Sequence, residues 1–216
     1  MVSDGPALAG TTPGGQPVRF PGFDVLAQVD HWDPVTAGVV LARLSLPSPL
    51  RFFTVAEEGI AGALLDHLLD QYEDPRVPVL QMIDVRLTEK QTDGWHYADL
   101  PEDGQAWRDS LRAIDDDARS RFDASFTECT GEQQKTLIQA VQDTEGKPWH
   151  GMRADRIWSL WTRYACTAFY AHPWAWNEIG FSGPAYPRGY KNPGIDAREP
   201  YEVRDHLPID PTRETS

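Results

Sequence analysis

The stretch 152–170, MRADRIWSLWTRYACTAFY, decides the fold class. Ile157, Trp161, Tyr164, Ala165 and Ala168 recur at the three-and-four spacing of a helix, and Trp158 and Leu160 widen the stripe. A helix that is apolar over so much of its circumference is buried. The spacing predicts a helix from about Met152 to Tyr170. Upstream, Trp107, Leu111, Ile114, Ala118, Phe122 and Phe126 predict a second one. It is interrupted by Asp115, Asp116 and Asp117, which read as a solvated face. Successive helical residues point about 100° apart, so three in a row cannot converge on one ion.

Local start and stop signals frame the remaining helices. Thr130 with Gln133 forms a capping box ahead of Leu137, Ile138 and Val141, and Gly146-Lys147-Pro148 ends that run. Val79, Leu80, Ile83 and Leu87 predict a helix over about Pro78–Leu87. Thr54 with Glu57 opens a stripe of Ile60, Ala61, Leu64, Leu65, Leu68 and Leu69; His67 on it reads as a partly buried or surface residue. Asp33-Pro34 is an N-cap followed by proline at the first helical position, ahead of Val35, Val39, Val40 and Leu44. Strand patterns are short and few. The expected fold is all-α, an irregular bundle of about six helices.

Residues 1–16 read as a flexible lead-in, 17–206 as one helical domain and 207–216 as a tail. From about Pro173 the chain carries Gly180, Gly183, Pro184, Pro187, Gly189, Pro193 and Gly194. That composition predicts an extended arm.

With 20 basic and 33 acidic residues the net charge is −13, which argues against nucleic acid and anionic membrane surfaces. No aliphatic run is long enough to span a bilayer. Cys129 and Cys166 form no disulfide framework, and both read as small core residues. Met1 to Gly15 shows no basic region, apolar region or twin arginine, so the cytoplasm is the default expectation, with export only alongside a partner.

Catalytic signatures are missing. There is no glycine-rich nucleotide loop after a strand, no pairing of the six histidines with metal-ligand spacing, and no complete nucleophile elbow at Phe181-Ser182-Gly183. The informative region is 149–190, with 11 of the 23 aromatic residues. Over 146–192 six basic residues face two acidic ones, an inversion of the chain's overall charge. Trp, Tyr and Arg dominate protein–protein hot spots. Trp174, Trp176, Tyr186, Arg188 and Tyr190 are therefore the candidate partner-binding residues. Packing of these rings on their own domain, and a sugar-stacking platform, remain open at this level.

The run 172–190, HPWAWNEIGFSGPAYPRGY, resembles the C-terminal signature of the gluconate 2-dehydrogenase subunit 3 family. Phe52-Phe53-Thr54-x-x-Glu57 resembles that family's beginning, and the helix ending Phe122-x-x-x-Phe126 fits it too. The resemblance spans about 20–201. It implies a small, non-catalytic subunit that helps a large flavoprotein of the glucose–methanol–choline oxidoreductase family to fold, persist or assemble. The large subunit would hold FAD and oxidise a sugar, sugar acid or glycoside, and some such complexes pass electrons to a cytochrome subunit. The alternative is a free-standing carbohydrate-binding protein or enzyme.

Overall fold

A computed structural model of the chain describes residues 10–14, 19–45, 48–192, 194–195 and 197–204. The expected tail over 207–216, and residues 1–9 and 15–16 of the expected lead-in, lie outside the described residues. In chain order the elements are a 3₁₀ helix (Val25–His31), α1 (Pro34–Ala42), α2 (Val55–Leu69), α3 (Val79–Thr88), α4 (Asp103–Phe122), a 3₁₀ turn (Phe126–Glu128), α5 (Gly131–Thr144), the strands β1 (Pro148–Trp149) and β2 (Met152–Arg153), α6 (Ala154–Phe169) and α7 (Pro173–Ile179). The fold is all-α. Among the described residues the only strands are the antiparallel pair β1–β2, joined by His150 and Gly151 at φ 47° and 80°.

The chain divides into two compact units. A helical unit comprises 47–72 and 78–169. A terminal unit gathers the described residues of 1–46, 73–77 and 170–216.

In the helical unit α6 packs against α2, α3, α4 and α5. Its stripe of Ile157, Leu160, Trp161 and Tyr164 is buried, as are Leu64, Ile83, Trp107, Ile114 and Leu137 on the helices it packs against. The polar edges of Trp161 and Tyr164 are satisfied inside. Trp161 Nε1 donates to Ser110 Oγ at 3.0 Å, and Ser110 Oγ donates to the Trp107 carbonyl at 3.0 Å. The capping boxes at Thr54/Glu57 and Thr130/Gln133 form as expected, each with its reciprocal pair of bonds.

Three expectations need correction in this unit. First, α4 stops at Phe122, because Asp123 turns left-handed at φ 54°. Phe126 is still fully buried, but it enters the core from the 3₁₀ turn. Second, the Asp115–Asp117 triplet is not a solvated face. Asp115 accepts the Phe126 N–H at 2.7 Å and so fixes that turn. Asp117 accepts Trp149 Nε1 and pairs with His150 Nε2, both at 2.8 Å, which anchors the β hairpin. Only Asp116 is exposed. Third, Cys129 is buried but Cys166 is exposed. Its apolar sequence neighbours lie on the other side of α6, since each step turns the helix by about 100°.

The most consequential buried group of this unit carries no sequence signature. Asp84, on α3 and almost wholly buried, accepts the backbone N–H groups of Arg51, Phe52 and Phe53 at 2.8, 2.8 and 3.0 Å. The carboxylate thereby holds the chain that leads into α2 and presents Phe53 to Trp107, ring centroids 6.0 Å apart. Asp84→Ala strips three buried donors of their acceptor. It is expected to lower the unfolding free energy by about 3 kcal/mol. Urea titration checks this; a loss under about 1 kcal/mol would show that the loop does not depend on Asp84.

Candidate functional site

All five residues expected to bind a partner lie in the terminal unit. Their placement begins at His172. Its Nδ1 accepts the Trp174 N–H at 3.2 Å and caps α7, with Pro173 in the first turn, where a missing N–H costs nothing. The proline and glycine content therefore does not prevent a helix here. The irregular segment starts at Gly180, which ends α7 at φ 69°, and not at Pro173.

The helix delivers Trp176 to the centre of the unit. Trp176 is 5 % exposed and packs with Val25, Trp32 and Val40. Its Nε1 donates to the Tyr170 carbonyl at 2.6 Å, and Phe181 meets it edge-on at 5.3 Å. The Arg43 guanidinium lies 5.7 Å from the indole centroid while Arg43 Nη1 donates to the Ala171 carbonyl at 2.8 Å. Asn177, next along α7, bonds outward in two directions. Its Oδ1 accepts the Val25 N–H and its Nδ2 donates to the Thr11 carbonyl, both at 2.8 Å. Residues 10–14, within the expected lead-in, are thus tied into this unit, Gly14 also donating to the Pro75 carbonyl at 2.8 Å. Gly183, at φ 76°, is obligatory: a Cβ there would stand 2.4 Å from the Trp32 ring.

The five candidates fall in separate places. Trp176 belongs to the interior. Trp174 is half-buried on α7, its ring 4.7 Å from that of His172. Arg188 stacks 3.8 Å over Tyr201 and donates from Nη1 to Gln28 at 2.8 Å, while its Nε and Nη2 have no hydrogen-bond partner. Tyr190 stands against the same Tyr201, centroids 6.3 Å apart, and remains 61 % exposed. Tyr186 is 67 % exposed. Tyr201 and Glu199, which the sequence reading passed over, hold this segment. Tyr201 OH donates to the Gly189 carbonyl at 3.0 Å, and buried Glu199 accepts the Lys191 and Asn192 N–H groups.

The helix α1 forms where the Asp33-Pro34 start predicts it, but of its apolar residues only Val40 is buried, while Val35, Val39 and Leu41 are exposed. By the full sequence both units are acidic, with eight basic and thirteen acidic residues in the terminal unit and twelve and twenty in the helical unit.

The densest polar group in the helical unit offers no free acid or base. Tyr164 OH donates to Asp103 at 2.7 Å, Arg163 Nη2 donates to the same oxygen at 3.2 Å, and Arg86 and Arg163 both pair with Asp93. Arg86 also stacks 4.7 Å over the Tyr164 ring. Burial first, and then the bond to Asp103, push the Tyr164 hydroxyl far above its usual range. These groups pin α3, α4 and α6 together.

Comparison with known proteins follows from these features. The family model described as gluconate 2-dehydrogenase subunit 3 matches residues 56–183, more than half of the chain, and the chain belongs to that family. The match runs from α2 through Trp174 and Trp176 to Gly183; α1, Tyr186, Arg188 and Tyr190 lie outside it. No curated protein and no solved structure matches the chain.

Two outcomes distinguish interior from surface rings. Trp176→Ala is expected to cost about 3–5 kcal/mol of stability, whereas Tyr186→Ala and Tyr190→Ala change it by no more than about 0.5 kcal/mol; thermal melting of the three variants reads this directly. A Trp176→Ala melt like the wild type would contradict the packing. His172 gives a pH test. Burial pulls its imidazole from 6.5 down to about 4. In the window between those values the unfolded chain binds the proton and the folded one does not, so stability falls as the pH drops from 6.5 towards 4. His172→Asn keeps a capping side chain without the titration. Its melting temperature should decline less over pH 6.5 to 5; an unchanged slope would exclude His172 as the cause.

Proposed function

We propose that this chain is the non-catalytic small subunit of an FAD-dependent dehydrogenase of the glucose–methanol–choline type, acting on a sugar, sugar acid or glycoside. It supports the folding, stability or assembly of the large subunit, which holds the flavin. Membership of a subunit 3 family supports a multi-subunit complex. The single observation that carries the reading is what the terminal unit presents to solvent, namely Tyr186, Tyr190 and the uncharged helix α1. Interface cores are depleted of charge and enriched in aromatic residues and Arg.

The described residues do not suit FAD itself. β1 and β2 are two residues each, and β2 runs straight into α6 with no glycine-rich turn to receive a pyrophosphate. The flavin is accordingly assigned to the partner. The acidic helices of the helical unit stay in solvent, because unpaired charge is costly inside an interface. Tyr186 and Tyr190 contribute large rigid surfaces at low rotamer cost, while Arg188, whose Nε and Nη2 are buried, holds the segment to Tyr201 and Gln28. Trp174 and Trp176 act by building α7, on which this segment is hung.

Co-expression with the flavoprotein subunit of its own complex tests the reading. The expected result is a stable hetero-oligomer in which all flavin absorbance and dye-linked sugar oxidation reside with the large chain, and a lower yield of flavin-loaded large subunit when this chain is omitted. Flavin binding or turnover by the isolated chain, or failure of the two chains to co-purify, would overturn it.

A further inference from the structure

Two neighbouring hollows of the helical unit join into one cleft between the end of α3 and the start of α4. One, of about 370 Å³, has Lys90, Thr92, Trp95, His96 and Glu102 in its lining. The other, of about 270 Å³, shares Lys90, Thr92 and Glu102 and adds Phe52. Pockets of roughly 300 Å³ and above hold small molecules.

The wall that carries Trp95 is firmly built. Asp93 pairs with both Arg86 and Arg163. Arg86 Nε donates to the Gln91 carbonyl at 3.0 Å, Thr92 Oγ1 accepts the Gly94 N–H at 3.2 Å, and Gly94 turns at φ 76°. Trp95 then stands edge-on to Tyr97, centroids 5.2 Å apart, with the Arg163 guanidinium 5.0 Å from its ring centroid. Held in this way, the indole is still 48 % exposed. The core does not need it, and it forms an open stacking surface.

The polar groups of the cleft fall into two sets. Arg108 gives Nη1 to both oxygens of Glu57, at 3.0 and 2.9 Å, and Nη2 to the Phe52 carbonyl at 2.7 Å. Arg86 is committed to Asp93 and Gln91, and Asp103 to Tyr164 and Arg163. By contrast, the side chains of Lys90, His96 and Glu102 make no hydrogen bond or ion pair among the described residues, and Glu102 heads α4 without capping it. The open groups are thus one ammonium, one carboxylate and one imidazole. An anionic ligand would need cations in excess, and here it would also meet Glu102 and Asp103. An apolar ligand would strip water from Lys90 and Glu102 and give nothing back. A neutral ring bearing hydroxyls suits both features: each hydroxyl can donate and accept, and the C–H face of the ring lies against an indole.

We infer that this cleft binds an uncharged sugar ring, stacked on Trp95 and hydrogen-bonded through its hydroxyls to Glu102 and Lys90. The cleft lies wholly within the helical unit, so binding does not require a large subunit, and the site stands apart from the small-subunit reading.

The test titrates the full chain with D-glucose, D-galactose, D-xylose and cellobiose, and with D-gluconate as a carboxylate of similar size, by ligand-observed NMR and calorimetry. Saturable binding of at least one neutral sugar is expected, with gluconate no tighter. Trp95→Ala and Glu102→Gln should each weaken it by about tenfold, while Trp95→Phe keeps most of the affinity and Tyr186→Ala, in the other unit, keeps all of it. Trp95 and Glu102 are exposed, so circular dichroism of these variants should match the wild type. Absence of saturable binding for all four neutral sugars overturns the assignment, as does sugar binding that Trp95→Ala leaves unchanged. Gluconate binding more than about tenfold tighter than any neutral sugar would make the cleft an anion site and overturn it equally.

Discussion

The burial of one indole organises the terminal unit. Trp176 reaches a cluster made by Val25, Trp32 and Val40, three residues that precede it by more than 130 positions. Its N–H is satisfied by the Tyr170 carbonyl, so the ring enters without an unpaired donor. Everything that positions the outer segment follows. His172 caps the helix that carries Trp176, Asn177 on that helix ties down Val25 and Thr11, and Gly183 yields room for Trp32. Loop closure over so many residues is entropically costly only in the logarithm of length, and the buried aromatic surface offsets it.

The two units divide the work of the chain along physical lines. In the helical unit, four carboxylates find partners within the unit: Asp84 takes three backbone donors, Asp115 and Asp117 lock a turn and a hairpin, and Asp103 is held by Tyr164 and Arg163. Such groups build a rigid body with a solvated, acidic exterior. In the terminal unit buried Asn177 and Glu199 are paired in the same way, but the rings of Tyr186 and Tyr190 and the aliphatic side chains of α1 face water. The proposed contact surface rests on these.

What was legible in the sequence were features encoded within one turn of chain. The Asp33-Pro34 start and the two capping boxes need only residues three apart, and α6 declared itself through its period. Asp84 was invisible because its partners lie 31 to 33 residues away. The end of α4 was hidden because Phe126 keeps the apolar spacing across a left-handed residue. Pro173 and the following glycines read as helix breakers until His172 supplied a cap and placed Pro173 in the first turn. The aromatic candidates shared one sequence neighbourhood but not one environment: Trp176 is interior, while Tyr186 and Tyr190 are outside. The apolar residues of α1 fit a buried stripe equally well on paper, and only the packing shows which side was left uncovered.

Amide hydrogen exchange across the whole chain, free and in complex with the large subunit, tests the central claim most directly. The account predicts added protection in α1 and in 180–204 of the terminal unit, with the exchange of α4 and α5 unchanged. Protection confined to α4 and α5, with the terminal unit exchanging as in the free chain, would contradict it.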